Sequence, residues 1–155
     1  MSERVGPAAR AALRTAERAF LAKARRAIAG HRDGELHAAR IAAKRLRYTI
    51  EFYAAVLGPA RTTALGLLAV LQDRLGEIAD AEAFMRFYRK IMLPLPPGDP
   101  RALGVATRIA ACGAQRRESI EAVRALWRGG AYPPYPDMLA ASISASLASS
   151  PSNDS

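Results

Sequence analysis

His37, Arg40, Lys44 and Arg47 recur at spacings of three, four and three residues. On an α-helix such spacing stacks side chains on one face, about one turn or ~5.4 Å apart. Four cationic or proton-donating groups along a line of roughly 15 Å can grip a chain of anionic oxygens. Arg45 adds a cation beside them, and Arg10, Arg14 and Arg18, with Arg25 further on, form a second ladder. Like charges one turn apart repel by a few tenths of a kcal/mol, so empty ladders cost stability and an anion removes that cost. Arg makes up 20 of the 23 basic residues, and its planar fork suits repeated oxyanion contact.

The charge excess is concentrated. Residues 1–47 hold twelve Lys/Arg against four Asp/Glu, and residues 48–128 hold eleven against eight. Net charge alone fits either a solvated helix surface or a polyanion site. One cysteine, Cys112, excludes an intrachain disulfide framework and a Cys-based zinc site. His31 and His37 lie six residues apart without a nearby third ligand, so no metal and no cofactor is expected. There is no Gly-rich phosphate loop and no nucleophile–His–acid arrangement, so no enzyme is expected. No run approaches ~20 apolar residues, so no membrane partner is expected and a cytoplasmic location is.

The elements that must position these ladders are helical. The apolar half of the 155 residues is mostly Ala and Leu, with few β-branched or aromatic side chains. Period and punctuation predict an all-α antiparallel bundle of about four long helices: Pro7 to Ala29, closed by Gly30; Asp33, as N-cap, to Gly58-Pro59; Ala60 to Leu93; and Asp99-Pro100 to Trp127, ended by Gly129-Gly130. Residues 1–130 form this bundle. The Pro/Ser/Ala-rich stretch 131–155 reads as a flexible, disordered tail with at most one weak helical turn near Met138 to Leu147.

Wheel arithmetic predicts the core stripes: Ala9, Leu13, Ala16, Phe20 and Ala24; Leu36, Ala39, Ala43, Leu46, Ile50 and Leu57; Leu68, Leu71, Leu75 and Ile78; and on the fourth helix Val105, Ile109, Cys112, Ile120, Val123 and Trp127. The two basic ladders, on consecutive antiparallel helices, are expected to flank one groove between the first and second helices. Arg116 falls inside the fourth stripe. It either pairs with Glu51, Asp73 or Asp80, or lines the same anion channel. On the third helix, Gln72, Asp73, Gly76, Glu77 and Asp80 share a side. Its carboxylates read as counter-ions for the basic side chains and Gly76 as a point of close helix approach.

The string Leu36-His37-Ala38-Ala39-Arg40-Ile41-Ala42-Ala43-Lys44-Arg45-Leu46-Arg47-Tyr48, followed by Glu51-Phe52 and by Leu71-Gln72-Asp73, Leu75-Gly76 and Asp80, resembles the CHAD family, the conserved-histidine α-helical domains. The match covers about residues 10 to 128. The resemblance implies a helical bundle that binds inorganic polyphosphate without catalysis of its own. His37, Arg40, Lys44, Arg45 and Arg47 match the basic motif; Arg10, Arg14, Arg18 and Arg116 are added from the wheel. Family members look like two related halves in tandem, and this chain resembles the C-terminal one. A homodimer or a separate N-terminal half would supply the other. The hydrolase signature ExExK, often found beside the family, does not occur here.

The expected function is therefore non-catalytic capture of polyphosphate in a basic groove between helices. Association with polyphosphate granules would follow. The alternatives are a nucleic-acid-binding helical protein and a structural bundle that meets an acidic partner. Nucleic acid is less favoured because only Tyr48 interleaves with the ladders, whereas base reading or stacking wants Asn, Gln or several aromatics.

Overall fold

The structure, a computed structural model, describes residues 5–30 and 32–148. Among them there are helices and turns and no strand. The order is α1 (Val5–Gly30), α2 (Asp33–Phe52), a 3-10 turn (Ala54–Val56), α3 (Arg61–Met92), α4 (Arg101–Arg128) and α5 (Tyr135–Ala148). The all-α bundle follows the sequence reading, with a fifth helix in place of four.

The predicted stripes form the core. Leu13, Phe20 and Ala24 of α1, Leu36, Ala39, Ala43, Leu46 and Ile50 of α2, and Leu68, Leu71, Leu75 and Ile78 of α3 are all buried in one cluster, with Leu57 from the loop. The α4 stripe divides. Ile120 and Val123 enter the core, whereas Val105, Ile109 and Cys112 are only half-buried. From 82 to 118 no residue is fully buried, so the end of α3 and the start of α4 pack as a hairpin arm.

Local chemistry sets the ends. Asp99 accepts the Arg101 N–H at 2.9 Å from one residue before the cap position, which is Pro100 rather than the expected Asp99. Asp33 does not cap α2. It is the first helical residue, the cap position is Arg32, and no side chain caps there. Helix α2 also ends earlier than Gly58, because the chain turns at Tyr53 into the 3-10 segment. At Gly129, φ is +75°, and an added Cβ would meet the Pro134 nitrogen at 2.8 Å. Only glycine suits this turn.

That turn overturns the flexible tail over 135–148. Helix α5 packs back on the bundle, burying Tyr135, Leu139 and Ile143. Tyr135 stacks on Trp127 with centroids 5.5 Å apart, and Trp127 meets Phe20 edge-on at 6.3 Å. The Gly58 N–H donates to the Ser146 carbonyl at 2.8 Å, tying the loop before α3 to α5. An i, i+4, i+8 stripe of three large side chains orders the segment despite its Ser/Ala composition. The expected disorder of 149–155 lies outside the described residues.

Candidate anion-binding site

On α2 the core stripe divides the cations. At 100° per residue, His37, Arg40, Lys44 and Arg47 lie about 100° to one side of it and Arg45 lies on the other side. The first side faces α3. His37 and Arg40 line a groove of about 490 Å³ with Leu75, Ala79, Asp80 and Arg86 of α3. Further along, the Arg47 Nη1 donates to the Gln72 Oε1 at 2.9 Å, and its Nε lies 3.5 Å from Glu51. Lys44 stands between them on the same ladder, half-buried. Among the described residues His37, Arg40, Lys44 and Arg86 have no ion pair and no side-chain hydrogen bond.

The ladder is fixed at the Arg47 end and open at the Arg40 end. Beside the Arg47–Gln72 contact, the Gln72 Nε2 and Arg47 Nε are buried donors without a hydrogen-bond acceptor among the described residues. This end of the site therefore holds a surplus of N–H groups. The groove is not purely basic, however, because Asp33, Asp80 and Glu82 also line it. Two of these share one arginine as counter-ion. Arg116 donates from Nε to Glu82 at 3.0 Å and from Nη2 to Asp33 at 3.1 Å. Burial pushes the Glu82 carboxyl above its usual range, against the pull of Arg116. The ion-pair reading of Arg116 holds, but with partners other than Glu51, Asp73 or Asp80.

The expected groove between α1 and α2 is different in kind. That hollow, of about 770 Å³, is lined by Ala11, Thr15, Ala16, Ala19, Tyr48 and Phe52, and Arg45 and Lys23 are its only charged residues. Arg10, Arg14 and Arg18 lie across the α1 core stripe from it, in a hollow against Leu57 and Leu147. There Arg10 donates to the Leu147 carbonyl at 3.3 Å, Arg14 to Ser144 at 3.0 Å and Glu17 at 2.9 Å, and Arg18 to the Arg14 carbonyl at 3.2 Å. The two ladders therefore do not flank one groove. A wheel gives a side chain's angle from the core stripe, but it cannot say which neighbour packs on that side.

Two further sequence readings change. A Cβ at Gly76 would meet nothing within 4 Å, so this glycine fronts open space and permits no close approach. Of the α3 carboxylates, Glu77 holds Arg74 and Ser119, while Asp73 and Asp80 make no ion pair among the described residues. The counter-ions that matter, Asp33 and Glu82, went unnoticed, as did Arg86 across the groove from Arg40. Arg86 follows Ala79 and Ala83 at spacings of four and three, so the α3 wheel carried that signal.

Among the described residues no group of three or more His, Cys, Asp or Glu is placed to hold a metal ion. None of their helices is long and apolar enough to cross a membrane. His31 lies outside the described residues.

A search among curated proteins gives no match. The family model described as the CHAD domain matches residues 2–89, a span that ends in α3 rather than near residue 128. It takes in α1, α2 and the α3 side of the groove, with the whole His37–Arg47 ladder. With more than half its length matched, the chain belongs to the CHAD family, whose domain is associated with polyphosphate binding.

Proposed function

We propose that the α2–α3 groove binds inorganic polyphosphate without transforming it. The observation that carries this reading is the pair Arg40 and Lys44. Both stand on the ladder beside the groove, and neither has an internal counter-ion among the described residues. Arg86 adds a cation from the facing helix. Arg47, held by Gln72, fixes one end of the line. A polyphosphate chain laid along α2 would meet the His37, Arg40, Lys44 and Arg47 groups in turn, each about one helical turn from the next. Arg forks would take paired oxygens, and Lys44 would act as a point charge.

Arg116 serves this site indirectly. By pairing with Glu82 and Asp33 at the mouth of the groove, it offsets one of their two negative charges and so reduces their repulsion of the ligand. Arg45 faces the apolar hollow, and Arg10, Arg14 and Arg18 line a separate one. These four therefore contribute long-range attraction to a polyanion rather than contact at the groove.

The test is affinity for long-chain polyphosphate of the Arg40→Ala/Lys44→Ala variant, with circular dichroism alongside. Two charge-assisted contacts are removed, so the expected loss is roughly tenfold or more. Helicity should be unchanged, since both side chains lie off the core stripe. Unchanged affinity would reject the site. Competition with single-stranded and duplex nucleic acid at matched phosphate concentration separates the two polyanion classes: preferential displacement by nucleic acid would favour the nucleic-acid reading.

A further inference from the structure

Along one side of α3, turning outward from Glu77 at the α4 contact, Asp73, Glu77, Asp80, Phe84, Phe87 and Ile91 recur at spacings of four, three, four, three and four residues. This is the spacing of a seam that packs against another helix. Its apolar half lies open to solvent among the described residues: Phe84, Phe87 and Ile91 are 55%, 56% and 38% exposed. Beside it, a hollow of about 450 Å³ between the two helices of the arm is lined by Phe84, Tyr88, Ala111 and Cys112. Asp80 edges this hollow at its base end and Arg108 at its tip end. A hairpin of two helices leaves such a face unburied, whereas two hairpins packed together bury it as a four-helix bundle.

We infer that this face of the α3–α4 arm pairs with the same face of a second copy of the chain, the two arms running antiparallel. The argument is charge complementarity. Arg116 bonds Glu82, and Gly113 stands opposite Met85, so α4 residue 108 lies level with about residue 90 of α3. Within one chain Asp80 and Arg108 are thus about 15 Å apart along the arm, too far to pair. Neither makes an ion pair among the described residues. The midpoint between their levels falls at about Phe84–Met85. A two-fold axis there lays the Phe84 side chains together and sets Asp80 of each copy against Arg108 of the other. A self-complementary patch of this kind is what a two-fold interface requires. A polyanion or an anionic surface would satisfy the arginine but would oppose Asp73 and Asp80.

Molar mass by sedimentation equilibrium over the micromolar range tests the pairing. The full chain should be dimeric, and Phe84→Ser/Phe87→Ser should be monomeric with unchanged helicity. Asp80→Arg and Arg108→Asp should each weaken association, by roughly tenfold or more. The combined Asp80→Arg/Arg108→Asp chain should recover it. A monomeric wild-type chain, single variants that associate normally, or a combined variant as weak as the singles would each overturn the inference. Asp80 also edges the α2–α3 groove, so molar mass is the readout. Loss of pairing in Phe84→Ser/Phe87→Ser with polyphosphate affinity retained, or loss of affinity in Arg40→Ala/Lys44→Ala with pairing retained, keeps this inference separate from the proposed function.

Discussion

Glu77 shows how a single carboxylate pins the arm to the body. It accepts from Ser119 Oγ at 2.9 Å and from Arg74 at 3.1 Å, and these bonds, Ser119 first, hold its carboxyl below the ordinary range. Ser119 is the first α4 residue to be fully buried, so the bond marks where α4 enters the core. A carboxyl lowered in the folded state contributes stability above its unfolded pKa and loses it as pH falls through the folded one. Glu77→Gln should therefore lower the denaturant midpoint at neutral pH, with the difference beginning to shrink near the ordinary carboxyl value of about 4.3 and vanishing only once pH has fallen through the lower folded one. Glu82 acts with the opposite sign. Its raised carboxyl favours folding more as pH falls toward its unfolded value, so the two groups partly offset each other in acid. The capacity of His37, Arg40, Lys44 and Arg47 to share a face was legible from spacing alone. The roles of Glu82 and Asp33 were not, because their partner Arg116 is distant in sequence and reaches them only once α4 folds back.

Among the elements, α5 departs most from the sequence reading. Its large buried side chains are spaced four residues apart, but Pro136, Asp137 and Met138 and then alanine and serine fill the positions between them, so composition conceals the period. Tertiary packing orders it, and its contribution is measurable. Ile143→Ala removes a fully buried side chain and should cost about 2–5 kcal/mol in chemical denaturation. Tyr135→Phe should do the reverse. The Tyr135 hydroxyl is buried without a hydrogen-bond partner among the described residues, and burial drives its pKa upward. Deleting an unsatisfied hydroxyl while keeping the ring on Trp127 should raise stability by about 1 kcal/mol. A melt showing Tyr135→Phe less stable than wild type would mean that the hydroxyl is satisfied in solution.

At the scale of the whole molecule, a net charge of +9 attracts any polyanion, and its distribution decides what is gripped. The basic residues divide among the α2–α3 groove, the α1–α5 hollow and the arm, so binding combines a short contact line with a diffuse field. The field is screened within a Debye length of about 8 Å at physiological salt. Affinity for polyphosphate should therefore fall by roughly 20- to 50-fold between about 50 and 200 mM salt, as for about three or four phosphate contacts on a single strand. Arg14→Ala/Arg18→Ala should change this slope far less than Arg40→Ala/Lys44→Ala does. Titration at several salt concentrations checks both expectations. Equal effects from the two variants would place the α1 ladder in the site.

The sequence by itself determined the four long helices, the stripes that became the core and the ladder on α2. All of these follow from periodicity, which is local and needs no knowledge of neighbours. Tertiary structure decided which surfaces meet. It turned the α2 ladder toward α3 rather than α1, sent the α1 arginines to α5, gave Arg116 its two carboxylates and folded a serine-rich segment into the core. The physical reason is that a helical wheel records angles about one axis, whereas a groove requires two axes and the hand of their packing. That hand is set by which large side chains fill the space between the helices.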